Sequence, residues 1–493
     1  MEQQFKELLK EQNSYHEALA LVQWDLRTKA PKKGVEQRAE VIGLLSQKLH
    51  QLTTSNEMKK CIDVLKDQTE DPILQRAVEE CENEYLRSSK IPDYEYKAYV
   101  TIRSKSESAW EQAREEDNFE LLQPYLEKLV SYNKKFATYW GATTNKYDAL
   151  LDLYEPGITT KELDQVFGQV REHLTTLVEQ IRQSNIYPNT NFLTHHFPKK
   201  DQRSFSLAIL KQMGYDFDAG RLDETVHPFA IGINSNDVRV TTRYDETDFR
   251  TSVFGTIHEG GHALYEQNIS PDLAQTPLAT GTSMGIHESQ SLFWENFIGR
   301  SEAFWETHFE LFKSFAPSEF HSIDFNDFYR AINEVKPSYI RIEADELTYC
   351  LHIIVRYELE KALIDGDLKV KDLPEAWNDK MEAYLGIRPR SNKEGVLQDI
   401  HWSAGDFGYF PSYALGYMYA AQLHDQLKKD VNINQVIASG DFSSIKQWLT
   451  KNIHQHGKMK KPLDLIQEVT GKSLDATYLV NYLSDKYAYI YQL

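Results

Sequence analysis

A short segment of the chain, His258-Glu259-Gly260-Gly261-His262, has the residue types and the spacing of a catalytic metal site. In a helix, residues four apart lie on one face, so His258 and His262 can bind the same ion. Glu259 lies one step around the helix, where its carboxylate can take a proton from water at the metal. The segment therefore predicts metal-assisted hydrolysis with Glu259 as the general base.

The helix that must carry these residues contains two adjacent glycines, Gly260 and Gly261. Each glycine costs the interior of a helix about 1 kcal/mol relative to alanine. Glycines at this place are typical of a close approach by another backbone or by a substrate. The sequence predicts that the helix is capped by Thr247 or Asp248 and runs to about Asn268.

A catalytic zinc site usually has three protein ligands, and the segment 282–295 offers two candidates for the third. The segment has the pattern of a capped amphipathic helix, on which His287 and Glu288 are about 100° apart. Only one of them can therefore face the metal. Residue chemistry alone slightly favours His287, because imidazole is the commoner metal ligand.

A second kind of metal site must be weighed, because Glu259-x-x-His262 is also half of the motif of di-iron carboxylate bundles. Such bundles need a second Glu-x-x-His on another helix. The only other pair with this spacing is Glu224 and His227, which Pro228 follows in a loop-like segment. The di-iron interpretation therefore lacks its second half.

The segment 237–244 is the best strand candidate and ends shortly before the predicted metal helix. Val238 and Val240 point to one face, while Arg239 points to the other. An extended substrate could pair with the main chain of such a strand. The alternative is an ordinary strand at the edge of a sheet, with its arginines in solvent.

Arg341 stands at the predicted start of a helix that continues through Val355. A guanidinium group can bind a carboxylate with two parallel hydrogen bonds, which suits recognition of a peptide C-terminus. The alternative is an ion pair within the helix between Arg341 and Asp345, four residues further along.

His401 precedes a loop rich in glycine and aromatic residues, residues 405–411, and then a helix that carries Tyr413 and Tyr417. A histidine and a tyrosine in this region could donate hydrogen bonds to the oxyanion that forms when an amide is attacked. The alternative is that both are core groups with satisfied hydrogen bonds. The aromatic surroundings of His401 favour the functional interpretation.

The rest of the chain is predicted to be mainly helical. Helical spacing of apolar residues extends over residues 1 to about 150, over 159–184 and over 203–213. No internal repeat or Gly/Ser linker divides the chain. We therefore expect one domain, residues 1–493, with a small β element.

Composition and charge limit the classes of function. The chain has 55 Lys and Arg against 74 Asp and Glu, a net charge of −19, which disfavours nucleic acids and anionic membranes as partners. The three cysteines (Cys61, Cys81 and Cys350) are far apart and form no Cys-x-x-Cys motif. With no apolar signal core and no run of membrane-spanning length, the sequence predicts a cytoplasmic protein.

The histidine segment is one of six ordered motifs between residues 227 and 402. They are His227-Pro228-Phe229, Asp237-x-Arg239-x-Thr241, His258-Glu259-Gly260-Gly261-His262, His287-Glu288-Ser289-Gln290, Ile340-Arg341-x-x-Ala344-Asp345 and Gly395-x-x-Gln398-Asp399-x-His401-Trp402. In these motifs the chain resembles the Taq-type thermostable metallocarboxypeptidases.

The resemblance implies a mainly α fold of the gluzincin type, a single saddle-like helical body with a deep active-site groove. The N-terminal region, about residues 1–150, is expected to form part of the groove wall. The resemblance also implies a homodimer that releases single amino acids from the C-termini of peptides with broad specificity. One divalent metal ion per subunit is expected, with zinc preferred and cobalt or manganese compatible with the same ligands.

The resemblance also assigns the residues of the site. It favours Glu288 over His287 as the third metal ligand, beside His258 and His262. The expected catalytic residues are Glu259 as base and then acid, and His401, Tyr413 and Tyr409 around the oxyanion. The expected substrate residues are Arg341 or, as second choice, Arg239 on the terminal carboxylate, with Asp237 and His227 in supporting roles.

Two other functions remain as alternatives. An endopeptidase or a dipeptidase would share the metal site but would not need an arginine clamp at the end of the groove. A catalytically silent peptide-binding scaffold would be expected to have lost Glu259 or a metal ligand, and the sequence retains all of them.

Overall fold

The computed structural model describes all 493 residues, and α-helices dominate it. The first eight helices are α1 Glu2–Thr28, α2 Val35–Thr53, α3 Asn56–Leu65, α4 Pro72–Ser89, α5 Asp93–Glu115, α6 Gln123–Trp140, α7 Lys146–Leu151 and α8 Thr160–Ser184. The next seven are α9 Lys199–Met213, α10 Arg250–Gln267, α11 Met284–Leu292, α12 Glu302–Phe315, α13 Phe325–Ile332, α14 Tyr349–Asp365 and α15 Leu373–Leu385. The last five are α16 Pro411–Asp430, α17 Ile433–Ser439, α18 Ser443–Asn452, α19 Pro462–Thr470 and α20 Thr477–Tyr491.

The prediction of a mainly α fold with a small β element is confirmed. Three strands, β1 Leu222–Glu224, β2 Ala230–Asn234 and β3 Asp237–Thr242, form one sheet in the order β1-β3-β2. β1 is parallel to β3, and β2 is antiparallel to it.

The predicted strand is present, but its expected position in the sheet is wrong. Val238 and Val240 are fully buried, as their alternation predicts. β3 nevertheless lies in the centre of the sheet, because it bonds to β1 on one side and to β2 on the other. Its main-chain groups are therefore occupied. Neither a substrate strand nor a solvated edge fits this position.

The centre of the molecule is built from α10, α11 and α16, which approach one another closely at glycines. A Cβ atom at Gly261 would lie 2.4 Å from the Gln290 carbonyl oxygen of α11, and one at Gly416 would lie 2.7 Å from the Glu288 Cβ. Gly260 faces Leu210 and Met213 of α9 at a similarly short distance. Gly261 thus serves the close approach of a second backbone, as predicted, whereas Gly260 makes room for side chains of α9.

Two helix starts differ from the sequence predictions. α10 begins at Arg250, and Asp248 accepts a hydrogen bond from the Arg250 main-chain N–H just before the helix. Arg341 does not open α14: it lies in a separate 3₁₀ turn, Arg341–Glu343, and α14 begins at Tyr349. Asp345 lies between the 3₁₀ turn and α14. Its side chain accepts hydrogen bonds from the main-chain N–H groups of Leu347 and Thr348, as a residue that caps the start of a helix does.

A single cluster of buried apolar residues extends from Phe5 in α1 to Tyr491 in α20. α2 differs from the other long helices in having no buried residue, and it borders a cavity of about 750 Å³. The wall of that cavity includes His50 of α2, Cys81 of α4 and His287 of α11. No helix is both long and apolar enough to cross a lipid bilayer.

Candidate active site

Three side chains from α10 and α11 bring ligand atoms together. The Glu288 Oε2 atom lies 3.4 Å from the His262 Nε2 atom and 3.8 Å from the His258 Nε2 atom. One ligand atom from each of the three residues lies within 4.8 Å of the others. α10 contributes both histidines from one face, and α11 crosses it at Gly261 so that Glu288 faces them.

His258 is held by a carboxylate on its far side. Its Nδ1 atom lies 2.9 Å from the Glu295 Oε2 atom, and Glu295 in turn accepts a hydrogen bond of 2.9 Å from Arg300. Glu295 lies in a π-helical segment, Phe293–Gly299, that continues α11. Wider turns of this kind often occur at functional sites, and here the segment places a second carboxylate of the same helix beside His258.

His262 is held by another imidazole. Its Nδ1 atom lies 2.6 Å from the His287 Nδ1 atom, and the His287 Nε2 atom lies 2.8 Å from Glu266 Oε1. One proton on His262 Nδ1 and one on His287 Nε2 satisfy both contacts. The Nε2 atom of His262 is then unprotonated and faces Glu288. His287 therefore supports a candidate ligand rather than joining the cluster.

This donor set fits a divalent metal ion. Tetrahedral zinc with bonds of about 2.0–2.2 Å separates its ligand atoms by roughly 3.4 Å. The two distances from Glu288 to the imidazoles agree with that spacing. Both histidines have their Nδ1 atoms occupied by outer partners, the arrangement that orients metal-binding imidazoles. Three ligands leave a further position open.

Glu259 lies beside the cluster and is 7% exposed. Burial is the largest cause that raises the pKa of its carboxyl group, to about 7, and the negative charges of Glu288 and Glu295 act in the same direction. A group with a pKa near the working pH can both accept and return a proton.

Arg341 lies in a buried cluster with two further charged residues. Its Nε and Nη2 atoms donate to the Asp399 Oδ1 atom at 3.1 and 2.9 Å, and its main-chain N–H donates to the Gln398 Oε1 atom at 2.8 Å. The Asp399 Oδ2 atom accepts from the Nε of Arg356 at 2.7 Å. Arg341 does not pair with Asp345, so the alternative of an ion pair within one helix is wrong.

His401, Tyr409 and Tyr413 lie together, as predicted. The His401 Nε2 atom is 3.3 Å from the Tyr413 hydroxyl, and the rings of Tyr409 and Tyr413 are 5.3 Å apart. Burial lowers the pKa of His401 to about 4, so the ring is neutral at pH 7. Its Nδ1 atom is buried without a hydrogen-bond partner, which favours the tautomer with the proton on Nε2.

Tyr413 connects the two groups of residues. The Arg341 guanidinium carbon lies 4.9 Å from the centre of the Tyr413 ring, while Gly416, one turn further along α16, contacts Glu288. Burial raises the pKa of Tyr413, and the nearby negative charge of Glu288 adds to this effect. The arginine cluster and the metal ligands therefore border one site.

The remaining predicted residues lie around the sheet. Arg239 makes two hydrogen bonds of 2.7 Å to Asp237 and lies over the ring of Trp24 in α1, 5.5 Å from its centre. His227 lies in an exposed bend between β1 and β2 and makes no side-chain hydrogen bond. The structure does not bring these residues into contact with the metal ligands.

Sequence reasoning missed several residues that hold the site together. Glu295, Arg300 and Glu266 support the histidines, and Arg356 shares Asp399 with Arg341. One signal was available for Glu295, which follows Glu288 by two helical turns and so faces the same side. Arg356 carries no motif that could have indicated its partner.

Comparison with known proteins places the chain in a family. The sequence profile of the carboxypeptidase Taq (M32) metallopeptidase family matches residues 4–487. The chain is 54% identical to carboxypeptidase 1 of Bacillus subtilis (strain 168), covering 100% of this chain and 99% of the relative. It is 41% identical to thermostable carboxypeptidase 1 of Thermus thermophilus, with coverage of 96% and 95%.

Solved structures agree with the sequence relatives. The M32 carboxypeptidase from Deinococcus radiodurans R1 superimposes with a TM-score of 0.97 at 35% identity, covering 100% of this chain and 99% of that structure. The fold, the matched length and the group of two histidines and a glutamate all agree. The chain belongs to the carboxypeptidase Taq (M32) metallopeptidase family and is a metal-dependent carboxypeptidase.

Proposed function

We propose that this enzyme removes single amino acids from the free C-termini of peptides, with broad tolerance for the side chain released. The observation that carries the proposal is that a buried arginine cluster and a metal-binding triad both border α16, at Tyr413 and at Gly416. An arginine at one end of a site gives a terminal carboxylate a fixed position relative to the scissile bond.

We assign His258, His262 and Glu288 to one divalent ion per subunit, and zinc is the ion that we propose. Cobalt and manganese accept the same nitrogen and oxygen donors. A divalent ion at this position supplies Lewis acidity and makes water more acidic. Glu295 and His287 hold the two imidazoles in the orientation that presents Nε2 to the ion.

Glu259 is the proposed proton carrier. It takes a proton from the attacking water and returns it to the nitrogen of the departing amino acid. Its position supports both steps, because the carboxyl group is 7% exposed, lies next to the metal-binding cluster and has a pKa that burial raises.

Arg341 is the proposed binding site for the terminal carboxylate. Its Nε and Nη2 atoms are bonded to Asp399, while its Nη1 atom has only a distant contact of 3.5 Å with the Tyr349 hydroxyl. Arg239 is a weaker candidate because Asp237 already occupies its guanidinium with two hydrogen bonds. We propose that Arg239 and Asp237, together with His227, support binding of the rest of the peptide.

His401 is proposed to donate a hydrogen bond to the oxyanion that forms at the scissile carbonyl. The neutral ring carries its donor on Nε2, beside the Tyr413 hydroxyl, which provides a second donor. Tyr409 packs against both residues and is the reserve candidate for the same role.

The state of the protein in the cell is part of the proposal. We infer a single domain over residues 1–493, supported by the continuous apolar core, and a homodimer that acts in the cytoplasm. Three free, buried cysteines support a reducing compartment. Sedimentation equilibrium at several concentrations tests the dimer, and a single species at 57.3 kDa would contradict it.

The reaction is tested by a mass-spectrometric time course on a free-acid peptide of about ten residues. The enzyme is first stripped of metal and then loaded with zinc, cobalt or manganese in separate samples. We expect a ladder of products, each one residue shorter at the C-terminus. Internal fragments would instead indicate an endopeptidase, and no cleavage with any metal would indicate a silent scaffold.

A further inference from the structure

Asp399 is shared between two arginines in the interior of the protein. Its Oδ1 atom accepts both hydrogen bonds from Arg341, and its Oδ2 atom accepts from Nε of Arg356 at 2.7 Å, with Nη2 at 2.6 Å. Gln398 bridges the same two arginines, because its Oε1 atom accepts from Arg356 Nη2 and from the Arg341 main chain.

The charges in this cluster do not balance. Two guanidinium groups face one carboxylate, and neither arginine forms an ion pair with any other acidic residue. The neighbouring His401 is neutral and does not change the charge of the cluster. One unit of positive charge is therefore left in a site from which most water is excluded, and such a charge is costly unless an anion joins it.

Arg356 itself cannot contact a substrate. Its side chain is 0% exposed. It lies over the ring of Trp377, 4.6 Å from its centre, and 5.3 Å from the centre of the Phe410 ring. The Nη1 atom donates to the main-chain oxygen of His352 in its own helix, so every part of the guanidinium is occupied. Burial lowers the pKa of Arg356 to about 10, and the group remains charged at neutral pH.

We propose that Arg356 is a positioning residue for peptide binding, which acts by sharing the single negative charge of Asp399 with Arg341. With Oδ2 bound to Arg356, Asp399 can offer Arg341 only Oδ1. The carboxylate then neither neutralises Arg341 fully nor turns to form the two parallel bonds that arginine and carboxylate prefer. The Nη1 side of Arg341 stays available, with uncompensated charge, for the terminal carboxylate of the peptide.

This inference rests on the proposed role of Arg341, and it extends that role to a residue outside the site. Without the charge of Arg356, Asp399 is expected to pair with Arg341 alone. The cluster then has no net charge, and its attraction for a carboxylate falls. Replacing Arg356 with an uncharged residue should therefore weaken binding of free-acid peptides while leaving the metal ligands and Glu259 in place.

The test compares Arg356→Met with Arg356→Gln, which can still donate a hydrogen bond to Asp399. We expect both variants to raise KM for a free-acid peptide roughly tenfold, the order of effect for one unit charge in a partly buried site. kcat and the bound metal, measured by elemental analysis, should stay close to the wild-type values. A loss of kcat at unchanged KM in both variants would overturn the proposal.

A double variant separates charge from packing. Asp399→Asn combined with Arg356→Met restores the single excess positive charge of the wild type, so KM should return toward the wild-type value. If the double variant binds peptide no better than Arg356→Met, the charge argument is wrong. Arg171→Met is the matched control, because Arg171 also pairs with an acidic residue of α14, Glu358 at 2.6 Å, away from the site. It should leave KM and kcat unchanged.

The same peptide assay distinguishes this inference from the proposed function. If Arg341→Met raises KM for free-acid peptides but the two Arg356 variants do not, only the positioning role of Arg356 fails. If Arg341→Met itself has no effect on KM, the assignment of Arg341 as the carboxylate-binding residue is wrong, and the inference about Arg356 that rests on it is wrong as well.

Discussion

The candidate site has two halves of opposite charge. The metal half contains the carboxylates of Glu259, Glu266, Glu288 and Glu295 around three histidines, with Arg300 as its one paired cation. The clamp half contains Arg341 and Arg356 with Asp399 as their only carboxylate. Each half thus carries an excess of the charge opposite to that of its proposed ligand, a metal cation or a peptide carboxylate.

The two halves are also built differently. The metal half lies on α10, α11 and the π-helical segment after α11, which glycines bring into backbone contact. The clamp half joins a 3₁₀ turn, a buried helix and a loop that are far apart in the sequence. Helices fix the spacing of ligands locally, whereas the clamp depends on long-range packing. Substitutions should therefore affect the halves in different ways.

The largest effect is expected from Glu259→Gln in the metal half. The amide cannot accept the proton of water, so kcat should fall roughly 10³- to 10⁴-fold. Bound metal should be unchanged, because Glu259 is not in the triad. Peptide turnover and elemental analysis measure the two quantities. Glu302→Gln in α12 is the control, and an active Glu259→Gln enzyme would exclude Glu259 as the base.

His401→Phe removes a donor next to the clamp half but keeps an aromatic ring between Tyr409 and Phe410. We expect kcat to fall about 10²-fold, as for loss of one oxyanion donor. Because burial depresses the pKa of His401 to about 4, the ring is neutral at every pH above about 5. The shape of the pH–rate profile above pH 5 should therefore not change. If the wild-type rate changes near pH 6.5 and this change is absent in His401→Phe, then His401 titrates there, and the prediction is wrong.

Glu295→Gln tests how far the metal half depends on its outer carboxylate. Without the negative charge of the Glu295 carboxylate beside Nδ1 of His258, metal affinity should fall about 10- to 100-fold while kcat of the fully loaded enzyme changes less. Competition with a chelator gives the affinity. The control is Glu358→Gln, which removes a carboxylate that pairs with Arg171 and Lys380. Equal affinities for wild type and Glu295→Gln would reduce Glu295 to a packing role.

Gly261→Ala comes last because it acts on stability and removes no functional group of the site. The new Cβ would lie 2.4 Å from the Gln290 carbonyl oxygen, so α10 and α11 must separate at a cost of about 1–3 kcal/mol. Gly43→Ala in α2 is the matched control, because nothing lies within 4 Å of its Cβ position. That change should be neutral or stabilise by up to about 1 kcal/mol. Urea unfolding of the two variants measures the difference, and equal midpoints would contradict the proposed close packing.

These differences explain how much could be predicted from the sequence. The pairing of His258 with His262 follows from helical spacing, and the mainly α fold follows from periodicity. The choice between His287 and Glu288 as third ligand does not follow from the local sequence. It depends on which face of α11 meets α10, and the contact at Gly261 determines that face. Residue chemistry slightly favoured His287, which instead bonds to the outer nitrogen of His262.

The clamp half was less predictable. The motif containing Arg341 identified the residue, but its Asp399 partner is far along the chain, and no local pattern indicates such a contact. Arg356 lies within an apolar helix. A charged residue in such a helix is expected to have a buried partner, but the sequence does not indicate which residue that is. The prediction that β3 lies at a free edge of the sheet is wrong for a similar reason. Alternation of apolar residues predicts a strand but does not indicate which strands lie beside it.

The most direct test of the opposition between the two halves compares a free-acid peptide with the same peptide as its C-terminal amide. Both are measured with wild type and with Arg341→Met at equal metal content. We expect the wild type to prefer the free acid strongly. The variant should lose about 10²-fold in kcat/KM on the free acid and little on the amide. Equal losses on the two peptides would contradict the assignment of Arg341 as the carboxylate clamp.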